Sequence, residues 1–234
     1  MSKTTWHREF LEHRAALFTV LTTVCISIGG LVEILPMYSA ELGGQPIAEV
    51  TPYTPLELAG RDIYVREGCY NCHSQMVRPF RSETLRYGEW SRAGEYAYDR
   101  PFQLGSRRIG PDLARVGGKY PDRWHYDHMK DPRQLDKRSI MPAYGWLFTD
   151  TIDTDDVTAT VNAMRTLGVE YPEDLDVQAE LDRQGGEIVG RLAGMGATAA
   201  PDDEIVALIA YLQRLGVDGR RSLDGSSELS EENP

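Results

Sequence analysis

The chain has 234 residues, of which 41% are apolar, enough for one hydrophobic core with accessory segments. Its formal net charge of -11 excludes nucleic acid as the main partner, because phosphate binding needs clustered Lys and Arg over much of a surface. Three cysteines, only two of them close together, exclude a disulfide framework.

The first element is a membrane span. From Ala15 to Val32 the sequence AALFTVLTTVCISIGGLV holds 18 consecutive uncharged residues, and ILPM extends the apolar run past Glu33 to Met37. At about 1.5 Å per residue this covers a hydrocarbon core of roughly 30 Å, so residues 15–37 read as a transmembrane helix. Lys3, Arg8 and Arg14 precede it, whereas Glu33, Glu41 and Glu49 follow it with no Lys or Arg before Arg61. The positive-inside rule therefore puts residues 1–14 in the cytoplasm and everything after the span outside. A cleaved leader wants a small residue where Tyr38 stands in MYSA, so the segment is expected to stay as an anchor. Cys25 reads as an apolar filler in mid-span, and Glu33 as a carboxylate that snorkels or meets a neighbouring membrane subunit.

Residues 38–53 form a linker rich in breakers. A helix should start at Thr54, with Thr as N-cap, Pro55 in the first turn and Glu57 three residues on as the partner of a capping box. Leu56, Ala59 and Ile63 share one face, and Gly68 is placed to stop it. Further helices are expected at Asp122 to Lys130, at Thr154 to Leu167 and at Pro201 to Leu215, the last with Ile205, Leu208, Ile209 and Leu212 at i, i+3, i+4 and i+7. No useful alternating pattern is present, so the expected fold class is all-α. Residues 217–234 are polar and acidic and read as a disordered tail after a domain spanning 54–216.

Between Ser74 and Gly110 lie seven arginines, at 78, 81, 86, 92, 100, 107 and 108, against four acids. They are either a solvated face or a set of donors for haem propionates or for acidic groups on a partner subunit.

The chemistry is concentrated in REGCYNCHSQM, where Cys69, Cys72 and His73 fall within five positions. A structural zinc site needs four closed ligands, and here no second CxxC exists, leaving only His125 and His128 to complete one. A thioredoxin-like dithiol needs a βαβ context, whereas this CxxC follows a helix. CxxCH is the attachment signature of c-type haem: two intervening residues let both sulfurs reach the vinyl groups of one porphyrin, and the adjacent histidine is carried to the iron. Met141, in RSIMPAYGWL, is the candidate sixth ligand, since Pro142 forces it into an extended conformation suited to presenting a side chain. Met76 is too close to His73 to wrap around, and Met129 and Met164 fall on expected helices. His125 or His128 as a second axial histidine is the rival. A His–Met pair closes both axial positions and raises the potential, so such an iron passes electrons and does not bind oxygen. Pro111, in RIGPDLARVGGKYPDRW, has a free carbonyl that could accept from His73 Nδ1–H and fix the ring.

The single span, GCYNCHSQMVRPF, GPDLARVGGKYPDRWHYDHMKDPR, SIMPAYGWL and EIVALIAYLQRLG together resemble subunit II of the cbb3-type cytochrome c oxidases, the monohaem membrane-anchored cytochrome c, over residues 10 to 216. The resemblance implies a class I cytochrome c-like helical domain with long loop insertions, tethered to the outer face of a bacterial inner membrane. It implies one covalently bound haem c on Cys69 and Cys72, with His73 and Met141 as axial ligands. The implied partners are the catalytic haem-copper subunit, which reduces oxygen to water, and a dihaem cytochrome c subunit that supplies electrons, with soluble cytochrome c as another donor. It also places FQLGSRR against the catalytic subunit, where Ser106 would contribute to a calcium site. The haem c subunit of a nitric oxide reductase, which shares one span and one CxxCH, and a tethered haem sensor with an open axial position are the alternatives.

Overall fold

The computed structural model describes residues 7–38, 46–47 and 49–221. The chain divides into two compact units, residues 1–45 and 46–234. Among the described residues 57% are helical and there are no strands, so the fold is all-helical, with one N-terminal apolar helix.

In the first unit α1 runs Ala15–Ile34 and buries none of its side chains. It is long and apolar enough to cross a membrane. The expected span to residue 37 is met differently at its end: the α-helix stops at Ile34 and Leu35–Tyr38 continue as a 3-10 turn.

In the second unit α2, Pro55–Arg66, is set by its first turn. Thr54 Oγ1 accepts from Glu57 N–H at 3.3 Å while Glu57 Oε2 accepts from Thr54 N–H at 2.8 Å, so two otherwise orphaned donors are satisfied reciprocally. α2 packs chiefly against α7, Glu204–Arg214. The two backbones can meet because residue 60 is glycine; a Cβ there would collide with the Ala207 carbonyl. Leu56, Leu58, Ile63, Ile205, Leu208 and Ile209 are essentially inaccessible in the seam. α5, Thr154–Thr166, adds Val157, Val161 and Met164 to the same core.

Three departures from the sequence expectation have physical causes. α7 begins at Glu204 rather than Pro201, because residues 150–152 and 202–204 form an antiparallel bridge in which Ile152 N–H bonds Asp202 O at 2.9 Å and Glu204 N–H bonds Asp150 O at 3.0 Å. A long helix α6, Val177–Gly194, fills the stretch where no element was expected. Residues 217–221 make a helical turn instead of starting the tail, with Asp218 8% exposed and paired to Arg214 at 2.5 Å; residues 222–234 lie outside the described set.

The arginine-rich segment is a folded insert carrying α3, Arg81–Tyr87. It is fastened to the helical body by Arg61 of α2, whose Nε donates to Asp99 Oδ1 at 2.5 Å with both side chains buried. Asp99 Oδ2 also accepts from Gln103 N–H at 3.2 Å. A buried ion pair of this kind persists only with such additional hydrogen bonds.

Candidate functional site: a cavity built around His73

Gly68, at φ +68°, ends the α2 segment in the left-handed conformation and turns the chain into a 3-10 turn, Cys69–Asn71. His73 N–H then bonds Cys69 O at 2.9 Å, which projects Cys69, Cys72 and His73 from one compact loop. Cys69 and His73 line a cavity of about 270 Å³ whose other walls include Tyr64, Pro111, Leu113, Val116, Leu208 and Leu212. Cys72 is exposed and outside that lining. Burial, with Glu67 nearby, pushes the Cys69 thiol up to about 12, so the free thiol is protonated at neutral pH.

His73 is held from the 110–114 segment. Its Nδ1 lies 2.8 Å from the Pro111 carbonyl oxygen. A carbonyl can only accept, so Nδ1 carries the proton and Nε2 keeps its lone pair. Burial lowers the His73 pKa, against the opposing effect of that hydrogen bond, and favours the neutral ring. The two segments are laced further by Gly110 N–H to Cys72 O at 2.9 Å, Leu113 N–H to Ser74 O at 2.8 Å, and Ser74 Oγ–H to Asp112 Oδ2 at 2.6 Å.

A second wall comes from α4, Asp122–Lys130, and from the segment carrying Met141. Tyr144 N–H bonds Met129 O at 2.9 Å and ties that segment to the end of α4. Met141 lines the cavity, as do His125, His128 and Met129. The rings on α4 are oriented by packing: Trp124 stacks between Tyr120 at 4.1 Å and His128 at 4.6 Å, and meets His125 edge-on at 5.3 Å. His125 Nε2 and His128 Nδ1 are buried without a hydrogen-bond partner among the described residues. Burial drives the His125 pKa down to about 4, and burial followed by the charge of His73 lowers that of His128.

The residues fit a haem. An apolar slot has a thiol loop on one side, an imidazole with a free Nε2, a thioether on another wall, and buried imidazole nitrogens unsatisfied by protein. Gly110 is the tightest point of the cradle, since a Cβ there would enter the His73 ring. The structure therefore brings together Cys69, His73, Pro111 and Met141. Ser106 is exposed and does not line the cavity. Among the described residues no group of three or more His, Cys, Asp or Glu side chains is placed to hold a metal ion.

None of the seven arginines of the insert lines the cavity. Arg78 and Arg108 pair with Glu83, and Arg92 with Glu95. Arg100 donates to the Leu167 carbonyl at 3.0 Å. The arginine at the cavity is Arg115, which the sequence reading passed over, and its Nη2 is bonded to Glu95 Oε1 at 3.0 Å. Tyr64, Tyr120 and Trp124 were also missed; their positions depend on tertiary packing that carries no motif.

An all-helical domain of the cytochrome c kind, preceded by one apolar helix able to span a bilayer, is the class that fold and cavity define. The chain belongs to the family described as Cytochrome C oxidase, mono-heme subunit/FixO, whose family model matches residues 7–218, and so to the subunit II type of cbb3 oxidase. No curated protein matches the chain. Membership makes it a one-haem subunit of an oxidoreductase complex.

Proposed function

We propose that the chain is the electron-transfer subunit of its oxidase, accepting electrons from a dihaem cytochrome c subunit or soluble cytochrome c and delivering them to the catalytic haem-copper subunit. It performs no oxygen chemistry itself. Cys69 and Cys72 hold one haem c through thioether bonds, and His73 Nε2 and the Met141 thioether take the two axial positions. The bound haem supplies reversible one-electron exchange at its iron. Residues 1–14 lie in the cytoplasm and the cavity domain in the periplasm of a bacterial inner membrane. Ser106 supplies part of a calcium site completed by the catalytic subunit.

The observation that carries this reading is the arrangement of His73 and Met141 on different walls of one apolar cavity, with the His73 tautomer set by Pro111. Both axial positions being filled from the chain distinguishes a carrier from a sensor.

Denaturing electrophoresis with haem staining, followed by absorption spectroscopy of the purified full chain, tests the proposal. A haem that stays with the chain after acidic acetone, a methionine-to-iron band in the ferric state and no carbon monoxide binding by the ferrous state are expected. Met141→Leu should keep the haem, lose the band and lower the potential. Extraction of the porphyrin by acidic acetone, or survival of the band in Met141→Leu, overturns the assignment.

A further inference from the structure

Two imidazoles on α4, His125 buried and His128 half-buried, each carry one buried nitrogen with no hydrogen-bond partner among the described residues, and His128 lines the same cavity as His73 and Met141. Unsatisfied buried polar atoms are rare and need a reason. His128 shares its wall with Met141, because the 141–144 segment is bonded to the end of α4 through Met129.

The two differ in how firmly they are held. Met141 follows a run, residues 133–138, that is exposed, and Ile140 beside it is 80% exposed. The hydrogen bonds of that run are local: Ser139 N–H to Asp136 O at 2.9 Å, and Met141 N–H to Ser139 Oγ at 3.3 Å. α4 is tied to three other places. Asp122 accepts from Arg191 Nε at 2.6 Å and from Gln213 Nε2 at 2.7 Å, Tyr126 Oη–H bonds Thr198 O at 2.9 Å, and Arg123 Nη1 bonds Met195 O at 2.8 Å. Segments with few buried contacts and local hydrogen bonds open at the lowest free-energy cost. The thioether thus follows an exposed, locally bonded run, whereas His128, with a nitrogen unpartnered among the described residues, sits on a helix tied to three other places.

We propose that His128 is a standby axial ligand, which takes the sixth position with an imidazole nitrogen whenever Met141 is withdrawn. This rests on the ligand assignment of the proposed function. Its consequence is that the iron stays six-coordinate and closed to diatomic gases when the loop opens, which suits a carrier that works where oxygen is reduced. Trp124 stacks on the His128 ring at 4.6 Å, which restricts its rotation.

The experiment uses the full chain with its haem, comparing Met141→Ala, His128→Phe and the double variant by electron paramagnetic resonance and by the rate of carbon monoxide binding. Met141→Ala is expected to remain low-spin with a bis-imidazole signature. The double variant is expected to become high-spin and to bind carbon monoxide at least an order of magnitude faster. His128→Phe alone is expected to keep the methionine-to-iron band. A high-spin Met141→Ala, or a double variant that stays low-spin, overturns the standby role. If the double variant fails to retain haem, Met141→Ala with His128→Gln decides the question, because a carboxamide does not replace imidazole at the iron. Absence of the methionine-to-iron band from the unsubstituted protein counts against the ligand assignment itself; its presence, with a high-spin Met141→Ala, counts against the standby role alone.

Discussion

The Nδ1 of His73 and the carbonyl oxygen of Pro111 stand 2.8 Å apart, although 38 residues separate them in the chain. Side-chain substitution at 111 cannot remove a backbone acceptor, so Gly110 is the place to test the contact. Gly110→Ala puts a methyl group into the His73 ring and must displace either the imidazole or the 110–113 segment. Weakening a partner that orients a metal-bound histidine characteristically costs about 10–100-fold in metal affinity or activity. We expect Gly110→Ala to shift the Soret band and the reduction potential, with lower haem content per chain. An unchanged spectrum and potential would show that the clasp does not set the ring.

Gly60→Ala tests the α2–α7 seam. In an isolated helix the change would stabilise by about 1 kcal/mol. Here the added Cβ would fall on the Ala207 carbonyl, with Tyr211 Cβ also too close, and both neighbours are buried backbone or core. Overpacking a core costs roughly 1–3 kcal/mol, so the sign should be destabilising. A thermal melt followed by far-ultraviolet circular dichroism reads it; an equal or higher Tm would mean that the helices separate at little cost.

The legible parts of the chain were those whose signal is local. The Thr54 and Glu57 capping box is written within four residues and is present with both of its hydrogen bonds. The i, i+3, i+4, i+7 set on α7 is fully buried as its period requires. Cys69 and His73 of CxxCH line the cavity and Gly110–Pro111 clasps the His73 ring, because each has a backbone role there, whereas Cys72 stays exposed outside the lining. α6 was illegible for a different reason: Val177, Leu181, Ile188 and Leu192 are correctly spaced, but Gly185, Gly186 and Gly190 break the expected propensity. Gly185 is needed because Pro201 passes over it; a Cβ would lie 2.6 Å from the Pro201 oxygen. α3 has no side-chain cap and buries only Glu83, so its support is Arg108, which the local sequence does not announce. Arg115 and the α4 rings were hidden likewise, since their orientation is set by Glu95, Tyr120 and Trp124 acting in three dimensions.

Glu83 offers a pH test away from the haem. Hydrogen bonds from Arg108, with further help from Arg78, hold its carboxyl at about 2 against the usual 4.5. The folded pKa is depressed, so the contribution is fully present above the unfolded value and is lost as pH falls through the folded one. Stability should therefore decline between about pH 4.5 and 2, and Glu83→Gln should flatten that limb while lowering stability at neutral pH by roughly 1–3 kcal/mol. Urea titrations across this range measure it. A variant whose acid limb matches that of the unsubstituted protein would remove Glu83 from the account.

Arg81, Arg86 and Arg107 are the insert arginines that are both exposed and without an ion pair among the described residues. Phe80, Leu85 and Ile109 beside them are 57%, 77% and 59% exposed. A cationic and apolar stretch on an acidic chain fits an anionic partner surface, and like charges brought together at an interface cost several kcal/mol. The triple substitution Arg81→Glu, Arg86→Glu, Arg107→Glu is expected to leave haem content unchanged and stability within about 0.5 kcal/mol, as surface changes usually do. It should strip the chain from the catalytic subunit at an ionic strength where the native complex survives. Arg108→Ala is the contrasting control: its guanidinium holds Ser74, Met76, Glu83 and Asp112 together, so it should unfold the insert as well as weaken assembly. Should the triple variant co-purify with the oxidase at full turnover, these arginines are solvated charges and the docking face lies elsewhere.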